Sequence, residues 1–239
     1  MAISNSLTPA KATTEFKYLA NNEEVRLSSS MVRKYLVSGD AAAVTDQEVM
    51  MFMTLCKYQH LNPFLREAYL VKYGNQAATM VTGKDTFLKR AERNPKYNGK
   101  SSGIVLQKKD GSIEYREGTL HLNGETIVGG WAKIFIDGRE PEMTTVSFDE
   151  YVGKKKDGIV NGQWASKPAT MIRKVAVVQA LREAFPEDFG GLYSPEEMGA
   201  EVNDAVPEKD VPIEVVESKV VEEPKKDSAE DALFEQITL

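Results

Sequence analysis

The sequence predicts an α+β fold: a mainly antiparallel sheet with packed helices, including a long C-terminal core helix, followed by a disordered acidic tail. Three observations carry this. Runs with strand-like alternation meet at Asp110-Gly111 and Asp137-Gly138, dipeptides that favour tight hairpins. The stretch WASKPATMIRKVAVVQALREAFP, residues 164–186, places apolar residues at helical spacing on nearly every side, as in a helix enclosed by a core. Residues 200–239 hold 12 acidic and 4 basic side chains, a net of −8, with one aromatic residue, too little apolar surface to fold alone.

Taken in order, residues 1–25 are polar and weakly patterned and are expected to form a flexible segment. Ser28, Ser29 and Ser30 suit the cap of a short helix through Val37, ended by Gly39. Thr45 and Glu48 have capping-box spacing before a helix to about Gln59, which LNPF at 61–64 breaks. EAYLVKY and ATMVT read as two strands joined around Gly74-Asn75. A helix over residues 85–94 is stopped by Pro95, and the two hairpins follow. KKKDGIVNG is a basic, glycine-containing loop. Beyond it Ser166 or Lys167 starts the long helix, Pro168 fits its first turn, and Pro186 ends it. From Ser194 the pattern fades. The end, DALFEQITL, regains apolar residues, either as a fraying terminus or as a short helix that docks on a partner. The domain expected to carry function is 26–199, with 200–239 as the tail.

A lone Cys56 excludes an internal disulfide and fits a reducing compartment. With only His60 and His121 beside it, a zinc site is not expected. No apolar run is long enough for a transmembrane helix, and the first residues lack the pattern of a signal peptide, so a soluble cytoplasmic protein is expected. VTGKDT is not a P-loop, because Ala78 and Asp85 stand where a glycine and a Ser/Thr are needed. Neither histidine lies in a nucleophile motif. Asp110 with Glu114, and Asp149 with Glu150, are weak candidates for a metal-dependent nuclease. No enzyme activity and no cofactor are expected.

Outside the tail the balance reverses: residues 1–199 hold 24 acidic and 26 basic side chains, a net of +2. The basic excess gathers at 84–116 and 153–184. A nucleic-acid groove needs cations for phosphates and flat side chains for bases. The candidates are Lys84, Lys89, Arg90 and Arg93 near Phe87; Lys108 and Lys109 at a hairpin tip; Lys154, Lys155 and Lys156 in the loop; and Lys167, Arg173, Lys174, Gln179 and Arg182 on the long helix. Solvated surface charge is the competing reading for the first three groups. For the long helix it is an internal ion pair, because a cation among Ile172, Val175, Val178 and Leu181 costs stability unless paired.

Three blocks resemble the RecT/Redβ (Bet) family of phage recombinases, the single-strand annealing proteins. They are LNPF with Glu67 and Tyr69; VTGKDTFLKRAERNPKYNG, with Gly83, Asp85, Phe87, Tyr97 and Gly99; and WASKPATMIRKVAVVQALREAF followed by FGGLYSPEE, with Trp164, Ser166, Pro168, Met171, Arg173, Gln179 and Arg182. The resemblance implies an ATP-independent protein of the bacterial host cytoplasm that coats single-stranded DNA and pairs it with its complement. It also implies a homo-oligomer, ring or filament, holding single strands and annealed duplex, and work beside a phage exonuclease and the host single-strand-binding protein. Arg173 and Arg182, then Lys89, are its implied DNA contacts. A single-stranded DNA-binding protein that does not anneal is the alternative, and a nuclease or a structural phage protein lies further off.

Overall fold

The computed structural model describes residues 15–199 except Asn75 and Lys156. The chain enters as a hairpin, β1 (Glu15–Ala20) and β2 (Glu23–Ser28), turned by Asn21 and Asn22, both at positive φ, a conformation asparagine tolerates better than most residues. Tyr18, Ala20, Val25 and Leu27 face inward and are buried. The Tyr18 hydroxyl donates to the Leu61 carbonyl at 2.8 Å. The expectation of a flexible segment through residue 25 is thereby corrected from residue 15 onward. The inward face is apolar, but Lys17, Glu24 and Arg26 on the outward face mask the alternation in the sequence. Residues 1–14 lie outside the described residues, as does the tail 200–239 with its DALFEQITL end.

Ser28 caps α1 (Ser29–Met31), its Oγ accepting from the Met31 N–H. The turn widens to a π-helix over Val32–Leu36 and passes into β3 (Val37–Gly39). α2 (Asp46–Tyr58) begins at the expected capping box: Thr45 Oγ1 accepts from the Glu48 N–H, and Glu48 Oε2 accepts from the Thr45 N–H. β3 lies parallel to β4 (Ala68–Lys72), which pairs antiparallel with β5 (Thr79–Thr82). The parallel pair, bridged by α2, has no signal in so short a strand as β3. α3 (Lys84–Arg93) follows, and Phe87 stacks on Phe189 with ring centroids 5.8 Å apart.

The main sheet has the order β7 (Ile113–Glu117), β6 (Tyr97–Gln107), β8 (Thr126–Ile136), β9 (Glu142–Ser147), all antiparallel. Both hairpins turn where expected. Beyond β9 come α4 (Phe148–Tyr151), α5 (Gly162–Ser166), α6 (Pro168–Ala184) and α7 (Pro186–Phe189). α6 is the long helix, with ten of its 17 residues buried. It lies across the face of β8 that carries Ala132, Ile134 and Ile136. Contact is close because residue 130 is glycine: a Cβ there would lie 2.6 Å from the Ile172 carbonyl oxygen. Trp164, buried beside Phe148, closes the start of the helix. No helix among the described residues is long and apolar enough to cross a membrane.

Glu48 ties this frame together. Its carboxylate accepts from Lys72 Nζ at 2.8 Å and from the Ala78 N–H at 2.6 Å, besides Thr45. The Lys72 ammonium first, then those backbone donors, hold its pKa down to about 2. A folded value below the unfolded one contributes stability that is complete above the unfolded pKa of 4.5 and lost as pH falls toward about 2. Glu48→Ala also strands Lys72 and removes half the capping box, so it is expected to cost about 2 kcal/mol or more at neutral pH. Thermal melting across pH checks this: the variant should lack part of the wild type's acid-induced loss. Equal acid sensitivity in both would contradict it.

Candidate nucleic-acid interface

Three elements bring cations to one small cleft. The start of α3 supplies Lys84 and Leu88, β6 supplies Lys100, and the first turns of α6 supply Thr170, Arg173, Lys174 and Val177. Local chemistry fixes where α3 starts. A Cβ on Gly83 would lie 2.9 Å from the Arg66 carbonyl oxygen, so glycine lets the chain pass there. The Gly83 N–H donates to the Glu67 carbonyl at 3.2 Å. The buried Glu67 carboxylate in turn accepts from the Asn62 N–H at 2.8 Å and from Asn21 Nδ2 at 3.0 Å. The LNPF block and the Gly83–Phe87 block are thus parts of one brace that sets the cleft's first wall.

The cleft is under-neutralised. Burial, then the nearby positive charges of Arg173 and Lys84, lower the pKa of Lys100 below the usual lysine range. Lys84 has one neighbouring acid, the exposed Asp85 at 3.5 Å. Lys174 pairs with Glu196 at 2.9 Å, and the other Glu196 oxygen is buried without a partner. Arg173 donates from Nε to the buried Ser102 hydroxyl at 3.0 Å, which orients the guanidinium and leaves its two terminal nitrogens for another acceptor. Four cations therefore face three carboxylates, Asp85, Glu196 and the more weakly acting Glu92, a surplus suited to phosphate. Lys100 was not singled out from the sequence. The one available signal was a lysine on a strand where the inward face should be apolar.

The remaining sequence-named residues divide by their partners. Arg182 is held inside the chain: it pairs with Glu197, donates to the Leu192 carbonyl at 2.7 Å and covers the Tyr193 ring at 4.7 Å. Glu197 is set by the Ser194–Glu197 turn, where its Oε2 accepts from the Ser194 N–H and Ser194 Oγ accepts from the Glu197 N–H. The Ser-x-x-Glu spacing was the available signal. Arg90 is likewise taken, by Gln59 Oε1 and the Asp188 carbonyl, each at 2.8 Å, and by the Gln59 carbonyl. Gln179 donates to the Tyr151 hydroxyl. Lys108 pairs with Glu114 at 2.7 Å, and Lys109 lies against Gly124. Lys89 and Lys167 are exposed, as are Lys154 and Lys155 on a small bridged loop, while Lys156 lies outside the described residues. Arg93 bonds Asn21 Oδ1 on the opposite flank of α3 from the cleft.

The acids considered for metal chemistry are otherwise engaged or exposed. Asp110 accepts from Ser112, and Glu114 accepts from Arg116 and Lys108, which hold its pKa down to about 2. Asp149 and Glu150 are exposed in the first turn of α4. Among the described residues no group of three or more His, Cys, Asp or Glu is placed to hold a metal ion. Burial pushes the Cys56 thiol up to about 12, so it stays protonated at neutral pH.

The model of the RecT family matches residues 22–211 and so spans all three sequence blocks. The chain is also similar to a curated protein, "Uncharacterized protein UU154" of Ureaplasma parvum serovar 3. The two are 27% identical over 197 residues, which cover 78% of each chain.

Arg182 bridges α6 to the segment after α7, and its Glu197 partner is nearly buried. Arg182→Ala strands that carboxylate and is expected to destabilise the fold by about 3 kcal/mol. Denaturant unfolding checks this, and an unchanged midpoint would show that the pair contributes nothing.

Proposed function

The chain belongs to the RecT family of phage-type recombination and annealing proteins, and from that premise we propose that it binds single-stranded DNA and anneals complementary strands without ATP. The observation that carries this reading is the surplus of positive charge in the cleft of Lys84, Lys100, Arg173 and Lys174. Mutual repulsion among Lys100, Arg173 and Lys84 is relieved when a phosphodiester enters, and the condensed counterions it releases favour binding. Arg173, aimed by Ser102, presents a fork to one phosphate; the lysines act as point charges. Arg182 and Arg90 serve the site by holding its walls.

The mechanism is physical rather than covalent. Complementary strands repel each other, and fixed cations along one strand lower that repulsion. The protein grips the backbone, so base edges remain free to test pairing. One cleft spans few nucleotides, and affinity sufficient to hold a strand comes from copies bound side by side as an oligomer. A phage exonuclease that exposes single strands and the host single-strand-binding protein that coats them are the partners this reading implies.

Annealing of two complementary oligonucleotides without ATP tests the proposal. Lys100→Ala and Arg173→Ala are each expected to slow annealing and to reduce the slope of log affinity against log salt by about 0.7. Ser102→Ala keeps every charge, so it should weaken binding with the salt slope unchanged. Wild-type binding and annealing in both charge variants would overturn the proposal. Tight binding by the wild type with no acceleration of pairing would instead identify a single-strand-binding protein.

A further inference from the structure

A second, larger cleft of about 590 Å³ lies between the β1–β2 turn, the end of α2 and the last turns of α3. At about 100° per residue, Arg90 and Arg93 fall on the side of α3 opposite Lys84 and Leu88. The two clefts therefore flank one helix, whose diameter with side chains is about 10 Å. Lys89 stands exposed on the outward ridge with Asp85 and Glu92.

The charges of this cleft sort clearly. Arg90 is spent on Gln59 and the Asp188 carbonyl, while the Asp188 carboxylate accepts from Asn94 at 2.6 Å. Arg93 has a single neutral partner, Asn21. The His60 ring meets the Leu19 carbonyl through Nδ1 at 2.9 Å, which leaves Nε2 for a ligand. Tyr58 is 76% exposed on the wall. A guanidinium with no paired acid, lining the same cleft as an open aromatic ring, matches a nucleotide: the fork for a phosphate, the ring for a base.

We infer that this second cleft takes nucleotides of the complementary DNA strand, with Arg93 on a phosphate and Tyr58 against a base, while the first strand occupies the Lys100–Arg173 cleft. The inference rests on the annealing function proposed above. It gives α3 a role as the wall across which two strands are brought to pairing distance. Each strand has its own cations, so neither must displace the other before bases meet.

The test preloads the full-length protein with one labelled oligonucleotide, then mixes in its labelled complement and follows pairing by energy transfer. Tyr58→Ala and Arg93→Ala are expected to keep first-strand affinity but slow pairing about tenfold. Tyr58→Phe should retain the wild-type rate, because the ring and not the hydroxyl meets the base. Matched thermal midpoints exclude a folding defect, since both side chains lie outside the core. A complement carrying 5-iodouracil should photocrosslink to the peptide containing Tyr58. Wild-type pairing in both alanine variants would overturn the inference and leave the cleft to another ligand class, such as an acidic peptide. Loss of first-strand binding in them would also overturn it, by merging the two clefts. Failure of the underlying function is separate: Lys100→Ala and Arg173→Ala would then bind the first strand as wild type does.

Discussion

Everything in this structure depends on how closely α6 lies on the main sheet. Gly130 lets the helix backbone meet β8 directly, and ten buried residues lock it there. A helix enclosed on so many sides leaves its charged residues few exits. Arg173 and Lys174 emerge near its start, beside β6 and α3, and Arg182 emerges near its end, beside the Ser194–Glu197 turn. Lys174 and Arg182 both reach carboxylates of that turn, Glu196 and Glu197, whereas Arg173 meets only the Ser102 hydroxyl. A side chain at residue 130 would lift the helix and shift both ends together.

The same packing separates two uses of positive charge. At the C-terminal end, Arg182 is neutralised by Glu197 and stacked on Tyr193, an arrangement that orders a turn. At the N-terminal end the neutralisation is incomplete, and Lys100 feels its like-charged neighbours. An isolated protein gains nothing from such crowding. It makes physical sense where an anion completes the arrangement, and DNA is the anion proposed for it on the strength of family membership.

Most of the fold was legible because local signals agreed with tertiary packing. The Thr45–Glu48 box, the Asp110-Gly111 turn, Pro168 in a first turn and the all-round apolar helix each have one physical reading, and the structure follows them. The β1–β2 hairpin was missed because its outward residues are charged and its inward run is short. The parallel β3–β4 pair was missed because register between distant segments leaves no local trace. The site was less legible for a related reason. Sequence spacing shows which cations share a helix face, but not which carboxylate the fold brings to them. Arg182 and Arg173 look alike in sequence. Glu197 and Ser102 set them apart.

The cleft's electrostatics also bear on stability. Lys100 titrates below an ordinary lysine, so the charged form is less favourable in the fold than in the unfolded chain. That penalty is fully present below the folded pKa, fades as pH rises from the folded to the unfolded value, and is gone above it. An anion in the cleft would offset that penalty, because the ammonium then gains a partner. Occupancy and folding are coupled in this way: what binds the native cleft and not the unfolded chain stabilises the native state. Like-charge crowding of Lys100 with Arg173 and Lys84 is thus what the proposed binding of a polyanion would relieve, while the pairs at Glu48–Lys72 and Arg182–Glu197 tie together other elements of the frame.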